Sequence, residues 1–278
     1  MDPDVDGGPP PVHPAVRQVA DRHLAEVHRV LPGLVEMLYL VGSVALGDYR
    51  HGVSDVDFLA VTSRPPAGPD LATLARIHSG IRPQRWGVPF YDGVYVDRGA
   101  LASPPDREQP APHVVGGEFR TDRPCGELNP VLWWTLATCG VPERGPAPGR
   151  LGLRLDPDRL RRYSLDNLRT YWQRLAGEIR SAVAGRDPDA PADPGAVVWA
   201  VLGPGRLHHT LATGAVTSKS GVVPYLRQRF PAWADLADRA GRARHGSQVG
   251  FRTTDALAAA DLIDAVTADA WRRFGTRA

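Results

Sequence analysis

The sequence predicts an α+β protein, with a mixed-sheet N-terminal domain followed by an all-α helical bundle. Three observations predict it. Short apolar runs at 37–41, 56–61 and 93–96 stand among Gly-containing and helical stretches in the first half. A stretch rich in Pro and Gly, 139–157, reads as an interdomain connection. Beyond it the apolar pattern is helical throughout.

The elements follow in order. Residues 1–14 are rich in Asp, Gly and Pro and lack a basic start and an apolar stretch. They read as a disordered tail and not as a signal peptide. Pro14 opens a helix carrying Val16, Val19, Ala20, Leu24, Val27 and Leu31, which ends before Pro32 and Gly33. The run 37–41 stops at Gly42 as a buried strand would, and 56–61 and 93–96 read as two more strands. The first domain is thus expected over 15–157 and the second over 158–278. In the second, Leu160, Leu168, Trp172, Leu175, Ile179 and Val183 form one face of a long helix. Segments near 194–213, 219–230, 232–245 and 253–274 are expected to be helical. Gly203-Pro204-Gly205 is expected to break or kink the first of them.

Composition narrows the function. The 278 residues include 42% hydrophobic ones, enough to bury a real core. Thirty-three Lys and Arg against 31 Asp and Glu leave a net charge of +2. That balance lacks the strong field of a dedicated nucleic-acid binder and leaves room for a small charged substrate. The two cysteines, Cys125 and Cys139, sit outside metal-ligand spacing and build no disulfide framework, which fits a reducing cytoplasm. No run has the apolar length to cross a bilayer.

The chemistry concentrates at Gly42-Ser43 and Asp55-Val56-Asp57. A strand running into Gly42-Ser43 lets backbone N–H groups approach an anion, and the serine adds a hydroxyl donor. Eleven residues lie between Ser43 and Asp55, enough for one short helix and a return. Asp55 and Asp57 then share one face of the next strand. Two carboxylates beside a phosphate-cradling turn suit Mg²⁺, which takes carboxylate oxygens plus substrate phosphates. His208-His209 has no third ligand at metal spacing, and Trp133, Trp134, Trp172 and Trp199 read as core.

Gly42-Ser43 followed by Asp55-x-Asp57 resembles the nucleotidyltransferase fold of the DNA polymerase β superfamily. The longer string from Gly42 through Arg50, then Ser54-Asp55-Val56-Asp57, is similar to the aminoglycoside 3″/9 adenylyltransferases, which modify streptomycin and spectinomycin. The resemblance implies ATP as co-substrate and two Mg²⁺ ions held by Asp55, Asp57 and a third carboxylate that acts as general base. Asp92 matches that position, one methylene shorter than the glutamate of the streptomycin type, with Asp97 as the alternative. It also implies nucleotide contacts from Gly42, Ser43 and Ser54. Arg206 and Lys219, thirteen residues apart, match an arginine and a lysine that reach the triphosphate; Lys219 is the chain's only lysine.

The implied reaction moves AMP to a hydroxyl of a small cationic acceptor, an aminoglycoside or aminocyclitol antibiotic, as a resistance activity of a monomeric cytoplasmic enzyme. Alanines Ala192 and Ala196 stand where the family has acids, and Asp187, Asp189 and Asp193 lie out of register. Streptomycin fits this pattern poorly. The competing readings are a nucleotidyltransferase of the same fold acting on a protein or tRNA, and a non-catalytic nucleotide-binding module.

Overall fold

The computed structural model describes residues 12–81, 90–102 and 110–275. Most of the expected N-terminal tail, residues 1–11, lies outside them. The chain divides into two compact units, Met1–Leu155 and Asp156–Ala278.

Unit 1 opens with helix α1 (Pro14–Val30), whose first N–H groups are capped by His13, with Pro14 in the first turn. Strand β1 (Val35–Leu40) leads into a single helical turn, α2 (Gly42–Ala45), and then β2 (Val56–Thr62). Helix α3 (Gly68–Ile81) precedes β3 (Tyr91–Asp97), which runs directly into α4 (Arg98–Ala102). A tight hairpin of β4 (His113–Val115) and β5 (Glu118–Arg120) follows, then α5 (Pro130–Cys139) and β6 (Val141–Arg144). The sheet order is β5-β4-β3-β2-β1-β6, and β2–β3 is parallel while the other pairs are antiparallel. The mixed sheet expected from the sequence is therefore present.

Strand β6 corrects the reading of 139–157 as connection alone. Pro142 pairs with Tyr39 at the sheet edge, where a missing N–H breaks no ladder bond. Period-two alternation sends Leu38, Leu40, Phe58, Tyr91 and Tyr95 into the layer with α1 and α3. It sends Tyr39, Leu59, Val61, Val94 and Val96 into the layer with Trp133 and Leu136 of α5.

Beneath β3 lies a buried polar chain. His23 Nδ1 is 3.1 Å from the Tyr91 hydroxyl, His23 Nε2 is 2.6 Å from the Tyr95 hydroxyl, and His78 Nε2 is 2.7 Å from that same hydroxyl. With both imidazoles neutral the three contacts form one hydrogen-bonded chain, running from Tyr91 through His23 and Tyr95 to His78 or in the reverse sense, according to the His23 tautomer. Burial holds His23 well below its ordinary value, helped by the neighbouring His78, and pushes His78 down to about 3. The unfolded chain binds these protons near pH 6.5 and the folded one does not, so stability is full above 6.5 and falls below it. Each histidine contributes a slope of about 1.4 kcal/mol per pH unit. Urea midpoints should thus drop between pH 7 and pH 5, and less steeply in His78→Phe; parallel profiles would show that His78 does not carry the effect.

Unit 2 starts with α6 (Pro157–Asn167), capped by Asp156, and passes through one π-helical turn, Leu168–Trp172, into α7 (Gln173–Val183). Helix α8 (Pro194–Thr213) is capped by Asp193 and ends at Gly214 in the left-handed region. Helices α9 (Val223–Arg229), α10 (Ala234–Arg244) and α11 (Thr253–Phe274) complete the bundle. A two-residue ribbon, β7 (Pro191–Ala192) with β8 (Phe251–Arg252), fastens the entries of α8 and α11.

Gly203-Pro204-Gly205 does not break α8, which runs through it. The glycines serve packing. A Cβ on Gly203 would come within 2.0 Å of the Trp172 ring, and one on Gly205 within 2.7 Å of Leu226. His208 is buried and both its nitrogens are engaged, Nδ1 with the Tyr225 hydroxyl at 2.6 Å and Nε2 with Asp269 at 3.0 Å. That tie joins α8, α9 and α11. Trp133 and Trp172 are core as expected, but Trp199 is 37% exposed.

Candidate active site

The site is built where β1 ends and β2 and β3 begin. Val41 N–H donates to the Asp57 carbonyl at 2.9 Å, which brings the β1 exit against the start of β2. The chain then turns at Gly42, with φ +55°. A Cβ there would lie 1.9 Å from Asp57 Oδ2, so only glycine lets the backbone and this carboxylate share the space. Ser43 Oγ is buried and has no hydrogen-bond partner among the described residues. A buried hydroxyl without a partner is costly unless a ligand completes it.

Asp57 and Asp92 are direct cross-strand partners in the parallel β2–β3 ladder. By parity both lie on the sheet face of Leu59, Val61, Val94 and Val96, and exposed Asp55 falls on that same face two residues before Asp57. Asp97 is placed differently. It pairs with Thr62 at the far end of the strand, an odd number of residues from Asp92, and its Oδ1 accepts from Ala100 N–H at 2.9 Å as the cap of α4.

Asp92 is held by residues that the sequence reading missed. Its Oδ2 accepts from Gly116 N–H at 2.7 Å and its Oδ1 from Gly117 N–H at 2.9 Å. Both glycines form the β4–β5 turn at φ +59° and +72°, a backbone that glycine adopts freely. Burial pushes the Asp92 carboxyl up, and the two N–H bonds pull it partly back. A raised value suits a general base. The sequence signal was Gly116-Gly117 between two short β-prone triplets.

Around this core the loop 46–54 is self-supporting. Ser54 is buried, and its Oγ accepts from Arg50 N–H at 2.9 Å, so it closes the loop that delivers Asp55. Asp48 is buried, with Arg50 at 3.6 Å. Burial and then the Asp55 charge raise the Tyr49 hydroxyl, which places Tyr49 in the field of that carboxylate.

The donor set fits magnesium. Two strand carboxylates face a glycine turn whose Cβ space is taken by one of them, and a buried hydroxyl awaits an acceptor; Mg²⁺ takes such carboxylates together with phosphate oxygens. Among the described residues no three His, Cys, Asp or Glu side chains are gathered as a metal group, and both Asp92 oxygens accept from the Gly116 and Gly117 N–H groups.

In unit 2, Arg206 Nε donates to the Thr217 carbonyl at 2.9 Å, and Lys219 Nζ lies 5.1 Å from the Trp199 ring centre. The three acids of loop 187–193 serve structure. Asp187 accepts from Asp189 N–H, Asp189 pairs with Arg252 at 2.7 Å, and Asp193 caps α8 through Ala196 N–H at 2.6 Å.

A parallel strand pair thus sets Asp57 opposite Asp92, with Asp57 against the Gly42 turn. Residues 21–88 match the family model of the nucleotidyltransferase domain. The chain thus carries the domain of an enzyme that transfers a nucleotide. The fold is similar to that of the spectinomycin adenyltransferase AAD(9) from Enterococcus faecialis, solved with ATP and spectinomycin. The TM-score is 0.69 over 90% of this chain and 98% of that one, at 12% identity. No curated protein matches the chain in sequence. Among the described residues no helix is long and apolar enough to cross a membrane.

Proposed function

We propose that this enzyme transfers AMP from ATP to a hydroxyl of an aminoglycoside or aminocyclitol antibiotic. One observation carries the reading: the Asp57–Asp92 pair lies beside a Gly42–Ser43 turn whose buried hydroxyl has no partner among the described residues. Support for the acceptor comes from the fold shared with AAD(9), a spectinomycin adenyltransferase.

In this reading Asp55, Asp57 and Asp92 would hold two Mg²⁺ ions, which would supply charge neutralisation to the phosphates. Ser43 Oγ and the Gly42–Ser43 backbone bind phosphate oxygens, while Ser54 acts through the loop it closes. Asp92 takes the proton of the acceptor hydroxyl as its oxygen bonds the α-phosphorus and the bond to the β-phosphate oxygen breaks. Arg206 and Lys219 are the cations this reading assigns to the triphosphate. The acids of loop 187–193 being spent on caps and pairs favours an aminocyclitol over streptomycin.

Incubation with α-labelled ATP and Mg²⁺ should label spectinomycin-type acceptors and release pyrophosphate. Label appearing instead in cell protein or tRNA would move the activity to the first competing reading. Nucleotide binding without any transfer would leave the second, a non-catalytic module.

A further inference from the structure

Among the described residues of unit 1, the large apolar side chains left exposed are Val53, Phe90 and Val115. Single exposed apolar residues are common on any surface and need no account. These all adjoin the site. Val53 lies two residues before Asp55 and Phe90 two before Asp92. Val115 precedes Gly116, whose N–H reaches Asp92 Oδ2 at 2.7 Å.

Register fixes the face of the last two. The Phe90 carbonyl accepts from Val56 N–H at 2.8 Å, so the β2–β3 ladder already runs at Phe90. Two residues from Asp92, Phe90 takes the same sheet face. On the other side Gly93 pairs with Val114 and Val94 with His113, and one further step along this antiparallel ladder sets Val115 opposite Asp92. Val114 is buried in the layer with α1 and α3, so Val115 points the other way, to the face of Asp57 and Asp92. Phe90 and Val115, 38% and 46% exposed, thus bracket the Asp92 carboxylate.

Strand order says what they meet. Across the sheet the Gly42–Ser43 turn leaves β1, Asp57 stands on β2, Asp92 on β3 and Val115 on β4. In an in-line displacement the attacking oxygen and the leaving group lie on opposite sides of the phosphorus. With the departing pyrophosphate at Gly42–Ser43, the acceptor arrives from the β3–β4 side, over Phe90 and Val115. We propose that these two side chains are the acceptor platform: they take the C–H face of a saturated, hydroxylated and amino-substituted ring and set its hydroxyl against Asp92. The proposal rests on the reading above and names residues that select the acceptor and leave the nucleotide alone. A phenyl face suits such a ring twice, through apolar contact with its C–H groups and attraction for its ammonium substituents.

The test uses the full chain with Mg-ATP, and spectinomycin as the probe. Both residues are exposed, so the variants should fold as wild type does. Phe90→Ala should raise the KM for spectinomycin about 5- to 30-fold while the KM for ATP holds. Phe90→Tyr keeps the ring face and should stay within about twofold of wild type. Val115→Thr keeps the branched shape but exchanges a methyl for a hydroxyl, and should raise the same KM about two- to fivefold. Calorimetry with a non-hydrolysable Mg-ATP analogue should show the same losses as weaker spectinomycin binding.

A KM for spectinomycin unmoved by Phe90→Ala, with label still transferred, would overturn the proposal alone. So would a rise confined to the KM for ATP, which would put the adenine on this platform. No transfer to spectinomycin by wild type would overturn the acceptor reading beneath it, and the proposal with it.

Discussion

Asp57→Asn should abolish nucleotidyl transfer, with kcat down about 10³-fold or more, while thermal stability of the nucleotide-free protein should hold or rise. The size follows from position. Loss of a group that merely orients a metal ligand costs about 10–100-fold, and Asp57 is proposed as a ligand itself. The stability half follows from charge. Asp57 faces Asp92 across the ladder with Asp55 two residues upstream, so an isosteric amide relieves like-charge repulsion. The amide keeps the shape that packs on Gly42, so the β1 exit is not disturbed. Mg-ATP at one hundred times its Kd should stabilise wild type by about 2.7 kcal/mol, and Asp57→Asn should lose most of that shift. Asp55→Asn should behave alike in turnover. Wild-type turnover in Asp57→Asn would remove the metal reading and the mechanism with it.

The candidate site residues singled out in the sequence share one property: their signal is local. Gly42-Ser43 closes an apolar run, and Asp55-x-Asp57 opens the next, so strand, turn and carboxylates can be read within sixteen residues. Long periodic helices such as α8 and α11 were legible for the same reason. Elements defined by distant partners were not. Strand β6 is four residues containing a proline, and only its pairing with β1 makes it a strand. Strands β4 and β5 are three residues each, too short for a period to show.

The same distinction runs through the site. Ser54 sits beside Asp55 in the motif, yet its hydroxyl serves the Arg50 loop. Gly203-Pro204-Gly205 reads locally as a break, but Trp172 and Leu226 fill the space that two missing side chains leave, and packing keeps α8 whole. Trp199 reads locally as core, yet it is partly exposed and its ring meets a lysine twenty residues further along. The choice between Asp92 and Asp97 was open to strand parity. Five residues apart, they point to opposite faces, and Asp92 is the one that shares the face of Asp57.

Asp92 supplies the sharper test because its support is visible. Asp92→Asn should keep the KM for ATP and lose about 10²–10⁴-fold in kcat, the range of a general base. Asp92→Glu restores the residue of the streptomycin type, and here the geometry predicts a loss. The Gly116 and Gly117 N–H groups stand 2.7 and 2.9 Å from the two oxygens, at the reach of an aspartate. One added methylene, about 1.5 Å of chain, pushes the carboxylate past both donors, or bends it off the line of attack. A misplacement near 1 Å costs about 10²-fold, and the KM for ATP should not follow, since neither glycine nor Asp92 is assigned to the triphosphate. Asp97→Asn should leave kcat unchanged, and Asn still caps α4, so stability should barely move. Full activity in Asp92→Asn with loss in Asp97→Asn would reverse the assignment. Full activity in Asp92→Glu would show that the Gly116–Gly117 turn gives way, and that this hairpin does not set the reach of the base.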